Sequence, residues 1–94
     1  MSFAFEMDVK DTFIFTDGTT VFTGPIETQI KFIGPCDCEV VQANEVRLSV
    51  RIDGEMVPST PGGKPPYRAI STRQPIDLDT IGVGRTGFTI RSKV

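Results

Sequence analysis

Through most of this chain apolar and polar side chains alternate with a period of two, and that pattern decides the fold class before anything else does. Between Glu45 and Asp53, Val46, Leu48, Val50 and Ile52 fall on one face. Glu45, Arg47, Ser49, Arg51 and Asp53 fall on the other, as a half-buried strand requires. Phe3, Phe5, Met7 and Val9 alternate with Ser2, Ala4, Glu6, Asp8 and Lys10 in the same way. Asp11 to Thr16 continues in β-prone residues, with Phe13 and Phe15 on one face and Ile14 on the other. Cys36, Cys38 and Val40 share a face, and Thr86 to Arg91 reads as a last strand with Phe88 and Ile90 inward. Helical spacing is nearly absent.

Turn chemistry cuts the alternation into short pieces. Asp17-Gly18 and Asp53-Gly54 are each expected to close a hairpin. Gly24-Pro25 ends the strand from Thr19 to Thr23, and Gly34-Pro35 ends the one from Ile26 to Ile33. Gln42-Ala43-Asn44 reads as a connection, and Tyr67 to Thr72 as extended. Pro58 to Pro66 holds four prolines, which remove donors and fix φ, so it is an irregular loop. Six to eight short strands with a turn about every ten residues describe a barrel or a sandwich. The expectation is one all-β domain over residues 1–94, a small closed or partly closed barrel, because closure disposes of strand edges.

Composition narrows the chemistry. The 94 residues include no histidine, which removes Ser-His-Asp and Cys-His catalysis and every imidazole-ligated zinc site. No apolar run approaches the roughly 20 residues of a membrane span. The opening MSFAFEMDVK carries acids early and no long apolar core, so a cytoplasmic protein is the default expectation. The net charge of −2 hides an asymmetry: residues 1–47 sum to −5 and residues 48–94 to +3. The bases of the second half are Arg51, Lys64, Arg68, Arg73, Arg85, Arg91 and Lys93. Converging on one face they would attract anions; alternating outward they merely keep the surface wet.

Within Asp17 to Gly34, the residues Thr20, Val21, Thr23, Gly24, Ile26 and Glu27 stand in the order Thr-Val-x-Thr-Gly-x-Ile-Glu, and Gly34 follows Gly24 by ten positions. This stretch resembles the signature of the β-barrel second domain of translation GTPases such as elongation factor Tu. Pro35 stands where that family has aspartate, Gln29 where it has glycine, and Gly18 lies one place early. The resemblance implies a Greek-key barrel of about six strands, in which Gly24 lets the chain turn and Val21 and Ile26 pack inside. In the translation factors that barrel supports the GTPase domain and touches the aminoacyl end of tRNA. The present chain has no Gly-x-x-x-x-Gly-Lys-Ser/Thr loop, so the resemblance implies an isolated barrel without the motor.

Few side chains suggest chemistry. Cys36 and Cys38 lie two apart in a strand, so their thiols sit side by side. Two thiolates are half of a tetrahedral zinc or iron site that a dimer would complete, and a disulfide between them is awkward in extended chain. The simpler reading is two small apolar residues in the core, with no metal. The acid pairs Asp77/Asp79 and Asp37/Glu39 have no partner base, and only Lys10, Lys31, Lys64 and Lys93 could activate a hydroxyl. No catalytic residue, cofactor or enzyme activity is therefore expected. Binding falls to the proline-rich loop and its flank, where Lys64, Tyr67, Arg68 and Arg73 combine positive charge with an aromatic ring. The expected function is a non-enzymatic binding module for a protein partner or RNA. The alternative is a structural subunit of a homo-oligomer or larger assembly, joined through strand edges at residues 2–9 or 86–92.

Overall fold

The computed structural model describes residues 5–28, 33–56, 67–77, 84 and 87–93. These form eight strands and no helix: β1 (Phe5–Val9), β2 (Asp11–Ile14), β3 (Thr20–Thr28), β4 (Cys36–Gln42), β5 (Glu45–Ile52), β6 (Gly54–Met56), β7 (Tyr67–Thr72) and β8 (Phe88–Ser92). Among the described residues no helix is long and apolar enough to cross a membrane. The order in the sheet is β5-β4-β8-β1-β3-β7-β6, with β2 pairing with β3 beside β1, and every pairing is antiparallel. The sheet curls strongly, in the manner of a half-barrel.

The alternation read from the sequence sets which side chains line the inside of the curl. Phe5, Met7 and Val9 point inward from β1, Phe88 and Ile90 from β8, Cys38 and Val40 from β4, and Val50 and Ile52 from β5. Phe22 from β3 and Ile70 from β7 complete this layer, and the rings of Phe22 and Phe88 meet edge to face at 6.0 Å. The inward positions of β5 fade toward its start: Leu48 is partly buried and Val46 is exposed. The Ser92 hydroxyl accepts the Phe5 N–H at 3.2 Å, satisfying a buried donor where β1 begins.

Two turn readings change. Gly24-Pro25 does not end a strand, because β3 runs through it from Thr20 to Thr28. Gly24 is needed for close approach instead. Met7 faces Ile26 and Asp11 faces Thr23, so three residues of the β1–β2 chain oppose two of β3, and the chain bulges over Gly24. A Cβ there would run into the carbonyl oxygen of Asp8 and lie 3.2 Å from the Lys10 nitrogen.

Asp53-Gly54 does not close a hairpin either. β5 pairs with β4 at one end of the sheet order, and β6 pairs with β7 at the other. Asp53 carries the chain between them: its N–H donates to the Ser71 carbonyl at 2.8 Å and its carboxylate accepts the Arg73 N–H at 2.7 Å. The pair is a corner and not a reversal.

The real hairpin turn in this region is Ala43-Asn44, between paired Gln42 and Glu45. Both central residues have positive φ, 53° and 65°, the type I′ geometry.

Neither β1 nor β8 is an edge. β1 lies between β3 and β8, and β8 lies between β1 and β4, so residues 5–9 and 88–92 offer no free backbone for assembly. The strands with a side left open by strand pairing are β5 and β6, at the two ends of the sheet order, and β2.

Candidate functional site

Three consecutive exposed apolar side chains sit at the tip of the β2–β3 hairpin. Phe15 and Thr19 close it: the Phe15 N–H donates to the Thr19 carbonyl at 2.8 Å, and Gly18 at φ 92° donates back to the Phe15 carbonyl at 3.1 Å. This is a three-residue loop whose last position needs a left-handed residue, which Gly18 supplies. The Asp17 carboxylate accepts the Thr19 N–H at 2.9 Å. That bond, with the Thr19 hydroxyl and the charge of Arg73, holds its carboxyl below the usual carboxylate range.

Phe13, Ile14 and Phe15 are 44%, 47% and 48% exposed. Only Thr12 of β2 reaches the interior. Beyond it the hairpin outruns the core, so both of its faces end in large apolar side chains. Three consecutive apolar residues cannot all be buried by a strand of period two. That signal is present in the sequence, where Phe13 and Phe15 fall on one face and Ile14 on the other.

The residues singled out from the sequence are not gathered into one cluster. Lys64 lies outside the described residues, as does the whole 57–66 segment. Tyr67 opens β7, its backbone opposite Pro25 of β3. Arg68 is gripped by Glu55 of β6, with Nε to Oε2 at 2.6 Å. Arg73, exposed, follows Thr72, whose backbone faces Thr20 at the start of β3, so it lies on the hairpin side of the molecule.

Among the described residues, three of the second-half arginines pair with acids across strands. Arg51 of β5 pairs with Asp37 of β4 at 3.1 Å, Arg91 of β8 with Glu39 of β4 at 3.2 Å, and Arg68 with Glu55. Two of these pairs join an acid of the first half to a base of the second. The acid pair Asp37/Glu39 is thus divided between two arginines; Asp77 is exposed and Asp79 lies outside the described residues.

On the outer face of β1, β4 and β8 a shallow depression of about 340 Å³ is lined by Glu6, Gln42, Asn44, Thr89 and Arg91 among others. It is polar and open. Cys36 and Cys38 do share the inner face of β4, with their sulfurs 3.6 Å apart. Cys38 is fully buried and belongs to the core, and Cys36 is partly buried against it. Among the described residues no three metal-ligating side chains converge. Compared with known protein families, with characterised proteins and with solved structures, the chain matches none.

Proposed function

We propose that the chain is a non-enzymatic binding module, a translation-factor-like barrel that docks through its β2–β3 hairpin into an apolar cleft on a protein partner. The observation that carries this is the exposed triplet Phe13, Ile14 and Phe15, on a hairpin tip whose backbone is tied down by Asp17 and Gly18. A preordered tip with both faces apolar loses little entropy on docking, and exposed aromatic anchors dominate protein interfaces.

The barrel part of the proposal rests on connectivity. β1 and β2 are one chain bent at Lys10, and β5 and β6 one chain bent at Asp53. Counted so, eight strands become six, and the strand at one end of the sheet order is also the strand at the other. The seam is held by the Asp53–Ser71 backbone bond and by the Thr72 hydroxyl donating to the Arg51 carbonyl at 2.5 Å. A ring of six joined out of sequence order is what the Greek-key reading of the signature at Thr20–Glu27 calls for, and these two bonds support it.

A protein partner is favoured over RNA because Arg68, one of the few arginines near an aromatic residue, is occupied by Glu55. Nucleic-acid recognition wants such groups turned outward. The test is affinity capture from the host's lysate, with and without ribonuclease, using the natural chain and a Phe13→Ser/Phe15→Ser variant. The expected result is a protein that survives ribonuclease and is lost with the variant. Capture that depends on RNA, or is unchanged by the variant, overturns the assignment. Concentration-dependent light scattering that the variant abolishes would instead make a second copy of this chain the partner.

A further inference from the structure

Beyond the hairpin, the structure holds a second reactive feature in the two thiols of β4. We infer that Cys36 and Cys38 form a thiol–disulfide site that reacts with low-molecular-weight disulfides, with Cys36 taking the incoming sulfur and Cys38 resolving the adduct. The chain has only these two cysteines.

Three geometric facts support it. The sulfurs are 3.6 Å apart, in contact across a weak thiol hydrogen bond, so one rotation of a side chain separates them from bonding distance. They differ in access: Cys36 follows the exposed Gly34-Pro35 and is only partly covered, whereas Cys38 is sealed in the core. And the strand itself resists the product. Residues two apart in a strand have Cα atoms about 6.6 Å apart, near the upper limit for a disulfide. β4 is also pinned on both sides, Cys38 facing Val50 of β5 and Ser92 of β8. A strained disulfide is easily reduced, so the bond is a reversible one and not a structural staple.

The reaction balances without a metal or cofactor. The Cys36 thiolate attacks one sulfur of the small disulfide, forming a mixed disulfide and expelling one thiolate. Cys38 then gives up its proton, attacks the Cys36 sulfur and expels the second thiolate. Two thiol protons and two electrons leave the protein, and the small disulfide becomes two small thiols. Burial, reinforced by the neighbouring Cys36 sulfur, pushes the Cys38 thiol up, so resolution is the slow step and quickens as pH rises.

The test is the intact mass of the folded, reduced chain during incubation with excess glutathione disulfide, quenched with acid. The natural chain is expected to carry one glutathione transiently and to end two hydrogens lighter, as a monomer that dithiothreitol restores. Cys38→Ala is expected to stop with one glutathione attached, and Cys36→Ala to remain unmodified. A natural chain that stays unmodified, or keeps its glutathione, overturns the inference. So does a Cys36→Ala variant that reacts as fast as Cys38→Ala. The time course of the natural chain decides the matter even if a variant fails to fold.

Discussion

The guanidinium of Arg68 on β7 holds both carboxylate oxygens of Glu55 on β6, and Glu55 in turn accepts the N–H of Ile33 at 3.1 Å. The Glu55 side chain is 8% exposed and that of Arg68 21%, so this pair is much drier than Asp37–Arg51, whose side chains are more than half exposed. It ties the short β6, the segment entering β4 and the start of β7 together. Arg68→Met leaves the Glu55 carboxylate covered and unpaired, and is expected to lower stability by about 2–4 kcal/mol. Arg51→Met at the exposed pair is expected to change it by less than about 1 kcal/mol. Urea denaturation of the two variants checks the contrast. A charge reversal at Arg68 therefore tests folding before it tests binding.

The same pair sets an acid limb. The bond from Arg68, with the Ile33 N–H adding to it, lowers the Glu55 carboxyl from its ordinary value of 4.5. A carboxyl depressed in the folded state stabilises the fold above its unfolded pKa, and that contribution is lost as pH falls through the folded value. The stability difference between the natural chain and Glu55→Gln is thus expected to be constant from pH 6 to pH 8, to within about 0.5 kcal/mol, and to shrink below about pH 4.5. Urea midpoints across that range measure it. A difference that grows toward acid would contradict the assignment.

Thr72 carries much of the seam between β5 and β7. It is fully buried, its hydroxyl donates to the Arg51 carbonyl, and the same oxygen accepts the Gln74 N–H at 3.0 Å. Thr72→Val keeps the shape and removes both bonds, leaving a carbonyl and an N–H without partners. The expected loss is about 1–2 kcal/mol. Native-state hydrogen exchange should show it as faster exchange at Asp53, whose N–H crosses the same seam.

One substitution is expected to stabilise. Ala43 holds φ at 53° in the Ala43-Asn44 turn, a conformation that costs alanine and suits asparagine. Ala43→Asn is expected to raise stability by about 0.5–1 kcal/mol, read as an increase in the urea midpoint with unchanged slope.

These residues also mark what could be read in advance. Period two placed Phe88 and Ile90 of β8, and Cys38 and Val40 of β4, correctly inside, because alternation is imposed by the strand itself and needs no knowledge of neighbours. Partnership is different. Asp53-Gly54 looks like any hairpin turn, and only the distant Ser71 and Arg73, which take its backbone and carboxylate, make it a corner. Gln42-Ala43-Asn44 reads as a connection, but its tight two-residue form does not show in the sequence, because alanine is not a turn residue and only the pairing of β4 with β5 forces it there. Arg68 looked available because its acid, Glu55, is 13 residues away on another strand. The hairpin triplet is legible as three apolar residues in a row, but that burial along β2 stops at Thr12 is not.

Gly24 offers the sharpest test of how β3 is built. The signature residue was expected to turn the chain, and in the fold it lies within a continuous strand, buried beneath the bulge formed by Asp8, Val9 and Lys10. Its backbone conformation is not what requires glycine; the missing side chain is. An alanine methyl would meet the Asp8 carbonyl oxygen and press on the Lys10 nitrogen, which donates to the Thr23 carbonyl at 2.8 Å. Backbone cannot rotate aside as a long side chain can, so β1 and β2 must lift off β3 at the bend. Gly24→Ala is expected to cost about 2 kcal/mol or more, although alanine is otherwise the better strand residue. Gly34→Ala is a matched control, since a Cβ there meets nothing within 4 Å, and it is expected to stay within about 0.5 kcal/mol of the natural chain. Equal urea midpoints for the two variants would mean that β1 and β2 do not cross over Gly24.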